Sequence, residues 1–261
     1  MKISILTPVG PGKDRWLGET AGSVDGAREA AARAGCAVEW VLCLDGTDVS
    51  PGLRARPDRI VGLAGNRGLP SARNAALAAA TGEWVLPLDS DDLLEVASFG
   101  SVVEALGAAG PALGWVGFNR LLLDGSRTPY WIDKPIAYAV GALAENWTSP
   151  FPFHPNSAAL RRDVLLGAGG WPATLNEDIA ALLTLNEVAA GRTHPAVLTR
   201  YRVWDGQITA DASYHGDRRV AFATIEAMVN ARRRLLGRTA VKAPDVTSAR
   251  DLRSARPSGS A

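Results

Sequence analysis

Short, continuous apolar runs alternate with Ala-rich stretches of helical period through the first part of the chain. Ile3 to Leu6 predicts a strand that ends at Thr7-Pro8 in a loop of Gly and Pro residues. Glu19 to Ala34 predicts a helix, its early turns weakened by Gly22 and Gly26. Trp40 to Leu44 predicts a second strand, closed by the turn-forming cluster Asp45-Gly46-Thr47-Asp48, and Arg59 to Leu63 a short third. Ser71 can cap a helix that runs to about Ala80 and stops at Gly82. Glu83 to Leu88 predicts a fourth strand that runs straight into acidic residues at Asp89. Such β-α-β alternation predicts a mostly parallel, Rossmann-like sheet with helices on both faces. Ligands of such sheets bind beyond the carboxyl ends of the strands. Asp45 and Asp89 both stand at strand ends of that kind.

The second half is less regular. Val96 to Ala109 predicts a helix broken by Gly110-Pro111; Trp115 to Leu123 predicts a strand, with Asp124-Gly125 as the turn of a hairpin. A Trp- and Pro-rich loop region extends to about Pro155. Arg161 to Leu166 predicts a short helix before Gly169-Gly170-Trp171-Pro172, Asp178 to Ala190 a further helix, and Ala196 to Val203 a strand. Asp217 to Leu236 has an amphipathic helical pattern, and beyond Gly237 the polar composition predicts fraying. These boundaries divide the chain into residues 1–110, a merged half at 111–215, and a C-terminal helix and tail at 216–261.

Charge changes this picture little. The 28 basic and 27 acidic residues leave a net charge of +1, which argues against nucleic acid as a partner. Cys36 and Cys43 form neither a metal-binding spacing nor a disulfide framework, and Cys43 reads as a buried thiol inside an apolar run. No basic-then-apolar leader opens the sequence, and no run approaches the roughly 20 apolar residues of a membrane span. The expectation is a cytoplasmic protein with no transmembrane segment.

Candidate chemistry concentrates in Leu86-Pro87-Leu88-Asp89-Ser90-Asp91-Asp92, where three carboxylates follow an apolar strand within four residues. Like charges packed this tightly need an offset. A divalent cation such as Mg²⁺, which takes one or two carboxylates plus phosphate oxygens, supplies one and suits a diphosphate leaving group. An N-cap for the following helix is the alternative use of the same residues. Upstream, Arg73 starts the helix that feeds the acidic strand, where a guanidinium and the helix dipole can both favour a phosphate; a surface position is its plainer reading.

Taken in order, Thr7-Pro8, Leu44-Asp45-Gly46-Thr47, Asn66-Arg67-Gly68 with Ala72-Arg73-Asn74, Gly82-Glu83-Trp84 and Asp89-Ser90-Asp91-Asp92 resemble glycosyltransferase family 2. The resemblance covers roughly residues 1 to 100 strongly and extends to about residue 210. It implies an α/β GT-A fold, inverting transfer from a nucleotide sugar (a UDP-sugar is favoured), and Mn²⁺ or Mg²⁺ as cofactor. Thr7 and Pro8 would line the nucleotide pocket, Asp45 would bond the base, and Arg73 would help hold the nucleotide. Asp89-Ser90-Asp91 would be the DxD element, with Asp89 and Ser90 on the donor nucleotide and Asp91 and Asp92 on the metal. Leu44 departs from the pattern, which often carries a second acidic residue before Asp45.

Inverting transfer needs a group that takes the acceptor's proton. The resemblance places it in Asn176-Glu177-Asp178, after the Gly-Gly-aromatic turn, with Asp178 as base and Glu177 beside it; carboxylates also simply favour a helix N-terminus. His154, Trp204, Gln207 and Thr209 are candidate diphosphate or acceptor contacts. Trp115, Phe118, Tyr130, Trp131, Trp147, Phe151 and Phe153 suit either a sugar cleft or an ordinary core. The acceptor would be a small molecule or saccharide. Two rival readings are a GT-A-like nucleotidyltransferase, faintly suggested by Gly10-Pro11-Gly12-Lys13, and a non-catalytic nucleotide-sugar-binding domain.

Overall fold

Period-two burial splits the predicted strands between two cores. In the computed structural model, which describes residues 1–48, 56–205, 207 and 218–246, strands β1 (Lys2–Val9), β2 (Ala37–Asp45) and β4 (Trp84–Pro87) are buried over most of their length. Ile3, Ile5, Trp40, Leu42, Trp84 and Leu86 point to one face, against Leu17, Val24 and Ala27 of helix α1 (Leu17–Arg33) and Phe99 and Val102 of α3 (Phe99–Gly107). Leu6, Val41, Cys43 and Val85 point to the other, against Ala72, Ala76 and Leu77 of α2 (Leu69–Ala79). Burial on both faces is why these strands read as continuous apolar runs instead of alternating ones.

The remaining elements are β3 (Arg59–Leu63), β5 (Leu93–Leu94), β6 (Leu113–Leu122), β7 (Ala137–Tyr138), α4 (Ala142–Glu145), β8 (Ala158–Arg161), α5 (Arg162–Ala168), α6 (Glu177–Asn186), β9 (Ala190–Tyr201) and α7 (Arg218–Leu235). One sheet runs in the order β3-β2-β1-β4-β8-β6-β9-β5, with β7 on β9. The four strands β3-β2-β1-β4 are mutually parallel, as the β-α-β alternation predicts. β8 then enters antiparallel between β4 and β6, so both halves of the chain share one sheet. The carboxyl ends of β1, β2 and β4, at Val9, Asp45 and Pro87, open on one edge.

Several boundaries differ from expectation. The predicted helix from Val96 opens as one 3-10 turn, Val96–Ser98, before α3. The hairpin at Asp124-Gly125 is reduced to a single bridge between Leu121 and Arg127, because β6 finds its partners in β8 and β9. β9 begins at Ala190, inside the helix expected to reach that residue. The chain after Gly237 does not fray at once. Arg238 donates to Glu187, the Val241 amide to Asn230 and the Ala243 amide to Glu226, while Val241, Ala243 and Val246 pack against the core.

Candidate functional site

The acidic loop after β4 is fixed from three sides. Thr20 of α1 donates to the carbonyls of Ser90 and Asp92, at 2.9 Å each, and Ser90 Oγ donates to the Lys13 carbonyl at 2.7 Å. Arg202, just past β9, donates its amide to Asp92 Oδ1 and its Nε to the Asp91 carbonyl, both at 2.9 Å. Its Nη2 bonds Glu19 at 2.8 Å, and its guanidinium lies over the Trp16 ring. A loop braced this way holds three acidic side chains in place, and Asp91 and Asp92 register the cost. Burial, then the charge of Asp89, raises the Asp91 carboxyl above its usual range and Asp92 well above it.

The three carboxylates face different partners. Asp89 Oδ1 accepts from Arg73 Nη2 at 2.7 Å and its Oδ2 from Asn156 Nδ2 at 2.7 Å. Asp92 is buried and turned to the Arg202 amide. Asp91 is half-buried, meets no Arg or Lys within ion-pair distance among the described residues, and accepts from Trp204 Nε1 at 2.7 Å. Lys13 Nζ lies 5.2 Å from the centroid of the same indole. No three His, Cys, Asp or Glu side chains form a complete metal cage among the described residues. A half-buried carboxylate with no ion pair among the described residues has the chemistry of a ligand for a hard divalent ion completed by phosphate oxygens.

Arg73 joins the two halves. Only 2% exposed, it lies on α2 with Nη1 bonded to Glu177 and Nη2 to both Asp89 and Asn156 Oδ1, the last at 3.0 Å. Burial would lower its pKa, but Asp89, Glu177 and Asp178 outweigh burial and raise it, so the guanidinium stays charged. The next residue completes the join: Asn74 exchanges two hydrogen bonds with the Trp171 backbone, at 2.7 and 2.8 Å. Gly170, at φ 73°, must be glycine there, since a Cβ would come within 2.2 Å of Asn74 Oδ1. The Gly-Gly-Trp turn is thereby fastened to α2, and the chain that follows delivers Glu177 and Asp178 to the start of α6.

Asp178 is half-buried, and its Oδ1 accepts from the Ile179 amide at 2.8 Å. Burial raises both acidic side chains, with Arg73 pulling the other way; Glu177 is pushed up to about 7. Carboxyls raised in this way titrate nearer neutrality, where a general base works well.

Other expected residues take more local roles. Thr7 is fully buried and its hydroxyl accepts from the Trp40 indole at 2.9 Å; Pro8 is buried beside it. Asp45 accepts from the backbone amides of Arg67 and Gly68, at 2.6 and 2.8 Å, and so pins the loop that leads into α2. Gly46, at φ 70°, allows that loop to approach, because a Cβ would meet the Asn66 amide at 2.4 Å. His154 Nδ1 pairs with Arg120 Nη2 at 2.9 Å; burial, then the Arg120 charge, lowers its pKa well below the usual value and leaves it neutral. Gln207 Oε1 accepts from the Trp204 amide at 3.2 Å, and Thr209 lies outside the described residues. Asn156, Arg202 and Arg120 are the site residues that sequence reasoning missed. None carries a local signal: Asn156 sits 67 residues from Asp89, and Arg202 sits 111 from Asp91.

The chain resembles known proteins in part of its sequence and in its fold. Residues 57–166 match the model of the family described as Glycosyl transferase family 2. Succinoglycan biosynthesis protein ExoO of Rhizobium meliloti (strain 1021) is 36% identical over 113 residues, which are 41% of this chain and 32% of that protein. The chain thus spans about a third of the length of this curated relative. Among solved structures, S. aureus TarS 1-349 in complex with UDP-GlcNAc aligns with a TM-score of 0.63 at 16% identity, covering 89% of this chain and 72% of that one. The mannosyltransferase PcManGT from Pyrobaculum calidifontis, in complex with GDP-Man and Mn²⁺, aligns with a TM-score of 0.56 at 18% identity, covering 92% and 65%. At these identities the likeness is one of fold, and the fold is GT-A.

Proposed function

We infer that the chain, which carries a glycosyltransferase family 2 region on a GT-A fold, is a metal-dependent inverting glycosyltransferase. Its donor is a nucleoside-diphosphate sugar, a UDP-sugar in the first instance, and its acceptor a hydroxyl or other nucleophile of a small natural product or saccharide. The carrying observation is Arg73, which holds Asp89 of the acidic loop and Glu177 beside Asp178 with one guanidinium. Two motifs about ninety residues apart thereby meet where a leaving diphosphate and an attacking acceptor must meet. Complexes of structural neighbours with UDP-GlcNAc, and with GDP-Man and Mn²⁺, support the donor class.

The residues divide the work. Asp45, Thr7 and Pro8 shape the mouth of β1 and β2 for the nucleotide, and Asp89 and Ser90 hold the donor loop in register. Asp91, with Asp92 behind it, would hold Mn²⁺ or Mg²⁺, which when bound offsets the charge that develops on the diphosphate. Asp178 takes the proton of the acceptor hydroxyl as its oxygen bonds to the anomeric carbon. The bond from that carbon to the diphosphate breaks on the opposite face, and its electron pair leaves with the phosphate oxygen. Glu177, locked to Arg73, sets the position of Asp178. Trp204 caps the loop at Asp91, with Gln207 steadying the Trp204 backbone. Free thiols at Cys36 and Cys43 suit a reducing compartment and support the cytoplasm as the setting.

The test is Asp178→Asn, assayed for UDP release from a UDP-sugar donor pool supplied with saccharide acceptors. Loss of a general base lowers turnover by about 10²- to 10⁴-fold, and UDP binding should stay at the wild-type level. Undiminished turnover would remove Asp178 from the mechanism.

A further inference from the structure

One guanidinium beside this site has no use in the transfer as described. Arg120 stands on β6 where pairing with β9 slips: Phe118 faces His194, Asn119 faces Val197 and Arg120 faces Thr199. Irregular pairing of this kind re-aims the side chains next to it. The Arg120 guanidinium is stacked on Tyr201, 4.1 Å from the ring centroid, and its Nη2 donates to His154 Nδ1. Tyr130 packs edge-on against that imidazole, with centroids 5.9 Å apart, from a backbone held at φ 68°. Both direct partners of the guanidinium are therefore neutral, because His154 is kept unprotonated.

Arg120 differs in this from the buried arginines, while half-buried Arg162 and Arg192 share both the lack of an ion pair and a buried, unpartnered Nε; what is particular to Arg120 is its place between Asp92 and Asp178. Arg73 is matched by Asp89 and Glu177, Arg202 by Glu19, and Arg233 by Glu145 and Glu187. Among the described residues, Arg120 has no carboxylate at ion-pair distance, its Nε is buried without a partner, and no protein acceptor meets its Nη1. Its charge is nevertheless felt at Asp92 and Asp178, on the donor and acceptor sides of the site. A planar fork fixed by an aromatic face and a neutral imidazole, with no direct ion pair among the described residues, is preorganised for an incoming anion. In the proposed transfer a metal ion held at Asp91 would offset the diphosphate, which leaves this fork for the acceptor.

We propose that Arg120 is an anion subsite of the acceptor half, and that the acceptor carries an acidic group, a phosphate or a carboxylate, bound there while a neighbouring hydroxyl meets Asp178. This rests on the transferase reading above. Calorimetric titration of the full chain, saturated with UDP and Mn²⁺, with glucose 6-phosphate, glucuronate and glucose separates the two. The acidic sugars should bind at least about tenfold more tightly than glucose. Arg120→Gln should erase that preference while UDP affinity stays at the wild-type level. Equal binding of all three sugars to the wild-type chain would overturn the proposal and needs no variant to fold. So would a preserved preference in Arg120→Gln, or a loss of UDP affinity there in its place, which would assign the fork to the donor diphosphate. Failure of UDP and Mn²⁺ to bind the wild-type chain would instead sink the transferase reading, and this proposal with it.

Discussion

Asp178 must be unprotonated to take a proton, and its surroundings resist the charge. Burial raises its pKa, the Arg73 guanidinium opposes the rise, and Asp89 adds to it. The active form is the carboxylate, so transfer is lost as pH falls through the raised value, and is present above it. The acid limb of the rate–pH profile is therefore expected at higher pH than the ~3.9 of a free Asp side chain. Replacing Asp89 by Asn removes the negative neighbour that raises Asp178 and should move that limb to lower pH. A limb that stays put in the variant would detach Asp89 from the base. The acidic loop could be read from residue types and local spacing, and Asp178 from the resemblance that places an acidic pair after the Gly-Gly-aromatic turn. Arg120, Arg202 and Asn156 could not, since each becomes a site residue only through a contact the chain makes after folding.

At the scale of elements, the donor half owes its order to a buried carboxylate remote from the chemistry. Glu39 of β2 accepts from Ser4 Oγ of β1, from the Thr81 and Gly82 amides between α2 and β4, and from Lys2. Burial favours its neutral form, but bonds from Lys2, Ser4 and Thr81 outweigh it and hold the pKa at about 2. Glu39→Ala strands several buried donors and should cost about 2–3 kcal/mol in urea unfolding at pH 7. The folded pKa is depressed, so this stability is present above the ordinary Glu range and fades as pH falls toward 2. The gap between wild type and variant should narrow accordingly in acid; a constant gap would mean that packing, not charge, is what Glu39 supplies. Elements of this half were readable because a strand buried on both faces writes an apolar run. β5, β7 and β8 are two to four residues long and exist through their pairing with β9, β4 and β6. No local pattern announces them. The stretch after Gly237 was misread for a related reason: its polar composition hides bonds to Glu187, Asn230 and Glu226.

For the whole molecule, the central feature is a join. One sheet carries both halves through β8, and α2 presents Arg73 and Asn74 in succession to the second half, fixing Glu177 and Trp171 against the donor loop. A buried Arg with one partner removed is strongly destabilising, on the order of 3–5 kcal/mol, so the arrangement resists drift. It leaves half-buried Asp91 without an ion pair among the described residues, and the account stands or falls on what completes it. The direct measurement is the melting temperature of the full chain with UDP, with Mn²⁺, and with both. A ligand at roughly 100 times its Kd should raise the melting temperature by about 5–10 °C. We expect that rise only when UDP and Mn²⁺ are present together, and its loss in Asp91→Asn. No shift with UDP under any metal condition, or an equal shift in Asp91→Asn, would contradict the account.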